Sequence, residues 1–174
     1  MNPLFERARE RGVDPKTLMM LEQFEERTAR NPRDANAFAQ MGSWWIGKRD
    51  YVAAVEHLDR ALEFDPDNAY ALRYRAKLRS TCPDAHFRDG DGALCDVNRA
   101  MDLENEDGRL NGDWLHRLYL RIRAAAYAEL GQYDIAIAVA TEALDQSITK
   151  LARHKVEREI EQYESGEPYR NTIS

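Results

Sequence analysis

Between Ala35 and Asn68 the chain reads ANAFAQMGSWWIGKRDYVAAVEHLDRALEFDPDN, two helix-length segments joined by a short turn and closed by a proline. Phe38, Met41 and Trp45 recur at the spacing of one helix face, and Val55, Leu58 and Leu62 do the same in the second segment. Gly42, Ala54 and Ala61 are small where two helix axes must approach closely. Large residues facing small ones predict a tight hairpin: a helix from about Ala35 to Ile46, a turn over Gly47–Asp50, and a second helix ending near Asp65, which Pro66 stops.

The pattern returns. Near the C-terminus Leu120, Ala124 and Tyr127 precede the turn Gly131-Gln132-Tyr133-Asp134, followed by Ala136, Ala140 and Ala143. A stretched middle copy has Leu72 and Ala76 in its first helix and Ala93, Val97 and Ala100 in its second, and LCDVNRAMDLEN echoes the earlier VEHLDRALEFDP. The spacing from Ala76 to Ala93 is five residues longer than that from Gly42 to Ala54, which places extra chain in the loop between the two helices. Asp14-Pro15 opens an upstream helix running to Arg30, with Leu18, Leu21 and Phe24 apolar and Asn31-Pro32 ending it. Ser147 is placed to cap a last helix, Thr149 to about Glu164, with Leu151, Val156, Ile160 and Tyr163 facing the stack. One-sided terminal helices close the exposed core of a repeat array.

The arrangement Phe38-x-x-Met41-Gly42-x-x-Trp45, then Ala54-x-x-x-Leu58 and Pro66, resembles the tetratricopeptide repeat, whose pattern is W-x-x-L-G-x-x-Y, A-x-x-x-F and P. Arg123 departs from the usual Leu in the last copy, and Asn105 stands in place of the terminal proline in the middle one. The resemblance implies an all-α fold, a right-handed superhelical stack of antiparallel helix pairs (a tetratricopeptide-repeat solenoid) with N- and C-terminal capping helices. On that reading one domain spans 1–174. Capping helices fill 1–34, repeats fill 35–68, 69–105 (with a loop insertion at 81–92) and 113–146, a capping helix fills 147–165, and a tail 166–174. The segments STCPDAHFRDGD, AAAYAELGQYD and YESGEPYR are similar to a bacterial, planctomycete-type subfamily with a TCPD…RDG inter-helix loop. That likeness implies a protein-binding module without a defined reaction.

Composition narrows the function classes. Hydrophobic residues make up 43% and charged residues 32%, a balance suited to amphipathic helices. A net charge of −6 argues against a general binder of phosphate backbones, which needs clustered Lys and Arg, so no nucleic-acid partner is expected. No apolar run approaches the length of a membrane span and the start, MNPLFERARERGVDP, lacks the apolar core of a secretory signal, so the expected setting is cytoplasmic, without a membrane partner. Cys82 and Cys95 match no CxxC pattern and are expected as reduced thiols rather than a bridge.

The loop Cys82–Gly92 carries two readings. In the structural one Pro83 stops a helix, Asp89 caps the next, and Arg88 pairs with Asp84. In the other, Cys82 and His86 with Cys95 or Asp89 hold a metal, a set without a fourth ligand at a standard spacing. The structural reading is preferred, with no metal and no cofactor expected. His57, His86, His116 and His154 lie on separate elements with no Ser or Cys arranged as a nucleophile, so no catalytic constellation and no enzyme activity are expected. Trp44, Trp45 and Trp114 are expected in core or inter-repeat packing.

In the resembled family the first helices of successive repeats line a concave surface for extended peptides. Aligning the copies places Asn36, Ala39, Ser43 and Ile46 on that face, then Tyr70, Arg73, Tyr74, Lys77 and Ser80, then Leu118, Arg121, Ala125 and Ala128. Of these, Asn36, Ser43, Tyr70, Arg73, Tyr74, Lys77, Arg121 and Ala125 are the candidate peptide-binding residues. With Arg73, Lys77 and Arg121 solvent-facing beside two tyrosines, the groove would suit an acidic peptide or a terminal carboxylate. Ala39, Ser43 and Tyr74 occupy the positions of the Lys/Asn clamp used by chaperone-binding relatives, so a chaperone tail is not the expected ligand. An adaptor for a protein or peptide partner is the leading function. A structural or assembly module acting through repeat faces or homo-oligomeric contacts is the alternative.

Overall fold

The computed structural model describes residues 14–108, 110, 114–146 and 149–170, and among them every regular element is helical. The helices are α1 (Pro15–Arg30), α2 (Ala35–Gly47), α3 (Tyr51–Phe64), α4 (Ala69–Thr81), α5 (Gly90–Glu106), α6 (Trp114–Glu129), α7 (Tyr133–Asp145) and α8 (Lys150–Glu164), with one 3-10 turn at Ala85–Phe87. No helix among the described residues is long and apolar enough to cross a membrane.

Local chemistry sets the helix starts. Asp14, Asp34, Asp50 and Asp89 each accept a hydrogen bond from the backbone N–H three residues on, at 2.9–3.1 Å, and Asn68 does so from Ala71 at 3.0 Å. Each bond satisfies one of the donors that a helix N-terminus leaves unpaired. Ser147 lies outside the described residues; the cap of α8 is Thr149, which accepts from Ala152 at 3.1 Å. The α6–α7 turn uses a glycine in the left-handed region (Gly131, φ 73°), whereas the α2–α3 turn places Arg49 there (φ 60°).

The chain forms two compact units, one ending at Ala71 and the other beginning at Leu72. In the first, α1 packs on α2 and α2 on α3. Leu21, Phe24, Ala37 and Met41 form a core flanked by Leu18, Phe38 and Trp45. The α2–α3 hairpin closes where Gly42 meets Leu58: a Cβ on Gly42 would lie 2.5 Å from Leu58 Cγ, so any larger residue forces Leu58 or a helix to shift. Ala54, Leu58 and Ala61 are fully buried there.

In the second unit α5 packs on α6, α6 on α7 and α7 on α8. Ala124, Ala128, Ala136, Ala140 and Ala143 let these helices approach closely around Leu120, Val156 and Tyr163. Tyr169, beyond the last helix, packs against the same cluster. The residues that lengthen the middle copy lie between α4 and α5, where the 3-10 turn sits.

Candidate binding surface

Within the first unit the three candidate residues are tied to the helix framework. Asn36 accepts from Asn68 Nδ2 at 2.9 Å. Ser43 Oγ donates to the Gln40 carbonyl at 2.9 Å and lies 3.0 Å from the Tyr70 hydroxyl. Its one proton being used, Ser43 is the acceptor of that second bond and Tyr70 the donor.

Within the second unit the expected row of solvent-facing cations is instead largely internal. Arg73 is only 8% exposed. Its guanidinium lies 5.4 Å from the Tyr74 ring centre and 5.8 Å from that of Tyr119, in cation–π reach of both. Arg121 reaches α8, where Nε donates to Glu159 at 3.0 and 3.2 Å and a terminal nitrogen makes a further short bond to the same carboxylate. Burial works to lower the Arg121 pKa, but the bond and charge of Glu159 outweigh it and hold the guanidinium above its ordinary value. Lys77 is shifted down, by desolvation first and by the Arg121 charge second. Ala125 is buried at 2% exposure. Ala128 and Ser80 are buried too. Tertiary packing turns these positions of α4 and α6 inward, a direction that repeat alignment alone does not supply.

Other side chains of α6 do face water. Trp114 is 61% exposed and Leu151, at the start of α8, 65% exposed, against the expectation that both pack inside. With Arg117, Leu118, Arg121 and Lys155 they line a groove of ≈ 250 Å³ between α6 and α8. Arg117 donates to the Gln146 carbonyl at 3.1 Å, which fixes its side chain without neutralising its charge. Glu159 neutralises Arg121, and Arg117 and Lys155 leave the groove basic. The signal was present in the sequence, since Trp114, Arg117, Leu118 and Arg121 follow the i, i+3, i+4, i+7 spacing of one helix face.

The Cys82–Gly92 loop is held by bonds that spacing did not reveal. Arg88 does not pair with Asp84: its Nε donates to Glu129 on α6 at 3.0 Å, and a terminal nitrogen donates to the carbonyls of Cys82 and Pro83 at 3.2 and 3.1 Å. Asp84 accepts instead from the His86 backbone at 3.0 Å, which, with the His86 ring, lowers its pKa. From the tail, Arg170 meets the other Glu129 oxygen at 2.6 Å. The three segments that carried the subfamily likeness thus converge on one carboxylate. Cys82 and Cys95 are both free thiols, the first buried and the second exposed. Burial raises the Cys82 pKa, which suppresses its thiolate. Among the described residues no three His, Cys, Asp or Glu side chains come together as a metal set.

A second unpredicted ionic centre joins α4 to α5. Asp96, with a side chain 5% exposed, accepts two bonds from Arg75 at 2.8 Å and one from Arg79 at 2.9 Å. Its role is to hold the two helices together. Compared with known proteins, the chain matches no family model, no curated protein and no solved structure.

Proposed function

We propose that the chain is a protein-interaction module of the tetratricopeptide-repeat kind, and that its second unit binds an acidic peptide segment bearing an apolar side chain. The observation that carries this reading is the groove between α6 and α8, where Trp114 and Leu151 stand exposed beside the positive charges of Arg117 and Lys155. Exposed large apolar side chains flanked by charge are typical of a surface that a partner covers. The local basicity contrasts with the chain's net charge of −6 and favours a segment rich in Asp and Glu. The solenoid reading rests on the repeated hairpin pattern and the consecutive packing of neighbouring helices; it assigns no reaction to the chain and no cofactor.

Selection of a displayed peptide library on the purified protein tests the proposal. Enriched sequences should carry Asp or Glu around a Leu or Phe, and their affinity should fall as salt rises. Trp114→Ala with Lys155→Glu should weaken binding by about tenfold or more, corresponding to roughly 1.4 kcal/mol. Retention of full affinity by that variant rejects the groove. Sedimentation analysis separates the assembly reading, because a self-associating face would give a dimer that Trp114→Ala dissociates.

A further inference from the structure

The tail of the chain rests on a second surface and shows what that surface holds. Past α8, Gly166 adopts a φ of 75°, which lets the backbone reverse. The Glu167 N–H donates to the Gln162 carbonyl at 2.9 Å and the Gly166 N–H to that of Tyr163 at 3.0 Å, the paired bonds of a Schellman turn. Turned back in this way, the tail lays Tyr169 against the cluster around Leu120, Val156 and Tyr163. The Arg170 guanidinium then meets Glu129 of α6 at 2.6 Å and the Ser80 carbonyl of α4 at 3.4 Å. That carbonyl is among the last four of α4, which have no N–H of their own helix to accept from. Helices α4, α6 and α8 thus form a seat with an apolar patch for a ring and, beside it, a carboxylate and a helix-end carbonyl for a cation.

The tail fills this seat lightly and incompletely. Pro168, Tyr169 and Arg170 are only half-buried. Water reaches the Arg170–Glu129 pair and screens it in part. In the cluster that Tyr169 packs against, the Tyr163 hydroxyl is buried and has no hydrogen-bond partner among the described residues. A buried hydroxyl left without a partner is costly, so an occupant that brings an acceptor to Tyr163 holds the seat better than the tail does.

We propose that this seat is a second interaction site, that it receives an extended segment of a partner protein carrying a tyrosine followed by an arginine, and that Tyr169 and Arg170 are the occupant it displaces. The partner's ring takes the place of Tyr169, and its guanidinium takes that of Arg170 on Glu129 and the Ser80 carbonyl. A carbonyl of the segment accepts from Tyr163. The tail competes at the high effective concentration of a tethered group, so it sets the affinity that a partner must exceed. The site is defined by the contacts of the tail and does not depend on the basic groove beside Trp114.

Fluorescence anisotropy with a labelled Glu-Pro-Tyr-Arg-Pro peptide tests the proposal, on the wild-type chain and on the full chain carrying Tyr169→Ala with Arg170→Ala, which empties the seat. The emptied variant should bind the peptide at least about tenfold more tightly than wild type, because the tail no longer competes. Replacing the peptide's tyrosine by alanine, or its arginine by glutamate, should weaken binding by about tenfold or more, and so should Glu129→Gln added to the emptied variant. In the wild-type chain, excess peptide should speed trypsin cleavage after Arg170 severalfold; the peptide itself is spared, since trypsin does not cut an arginine–proline bond. This second assay needs no variant and decides the matter even where the emptied variant fails to fold. The proposal is overturned if the emptied variant does not bind the peptide or binds it no better than wild type. It is equally overturned if either altered peptide binds as well as the parent, if Glu129→Gln leaves affinity unchanged, or if the peptide leaves cleavage after Arg170 unchanged.

Discussion

Arg88 donates to Glu129 at 3.0 Å across forty-one residues of chain, joining the α4–α5 loop to the end of α6. Arg170 closes on the same carboxylate from the C-terminal side and donates to the Ser80 carbonyl at 3.4 Å, so one glutamate holds both the loop and the tail.

Replacing Glu129 tests that arrangement. The three side chains are 17–24% exposed, so solvent screens the pairs only in part. Glu129→Ala leaves two half-buried guanidinium groups without their carboxylate and should cost about 2–3 kcal/mol in urea unfolding. Arg170→Ala should cost less and should expose the tail to limited proteolysis first. Unaltered stability of the Glu129 variant would mean that the convergence adds nothing.

Asp96 should be the more sensitive carboxylate, because it is more deeply buried and pairs with both Arg75 and Arg79. Asp96→Ala should destabilise by roughly 3–5 kcal/mol, the range for breaking a buried ion pair from one side. Arg75→Ala should cost less, since Arg79 still faces the carboxylate. Chemical denaturation of the two variants side by side reads the difference.

At Gly42 two effects compete. Alanine favours a helix interior by about 1 kcal/mol over glycine. The new methyl would press on Leu58 Cγ at 2.5 Å, and overpacking of this kind costs about 1–3 kcal/mol. Gly42→Ala should therefore lower the melting temperature, and Leu58→Ala in the same chain should recover part of the clash term in a double-mutant cycle. A rise in melting temperature for Gly42→Ala would show that α2 and α3 are not so closely apposed.

Alkaline pH should separate Tyr163 from Lys77. Desolvation, and then the Glu159 charge, push the Tyr163 pKa above its ordinary 10.0. The unfolded chain loses this proton first, so the contribution is fully present below about pH 10 and is lost as pH rises further. Lys77 is shifted below its ordinary 10.5, which gives the opposite sign: the unfolded chain holds that proton longer, and stability gains as pH rises toward 10.5. Tyr163→Phe should blunt the loss above pH 10. Its hydroxyl is buried and meets no hydrogen-bond partner among the described residues, so at neutral pH the change should lie within about 1 kcal/mol of wild type. Lys77→Met should raise the melting temperature at neutral pH, because it removes a desolvated charge beside Arg121. Melting curves across the pH range check both.

Where α1, α2, α3 and α5 begin, and where α1 and α3 end, was legible in the residues themselves. Asp14, Asp34, Asp50 and Asp89 cap within three positions of their own place in the chain, and Pro32 and Pro66 stand just past the ends of α1 and α3. The meeting of Gly42 with Leu58 was legible for a related reason: a short turn joins the two helices, and small-against-large patterning specifies how close they come. Only the tertiary structure decided which charges meet. Arg88 with Glu129, Arg75 with Asp96 and Arg121 with Glu159 are separated by 21 to 41 residues, and a cation on a helix has the same local spacing whether it points to water or to a carboxylate on another helix. Exposure was decided at the same level. Trp114 carries an apolar ring whose burial depends on what packs over it, and among the described residues the α6–α8 groove leaves that ring open to water.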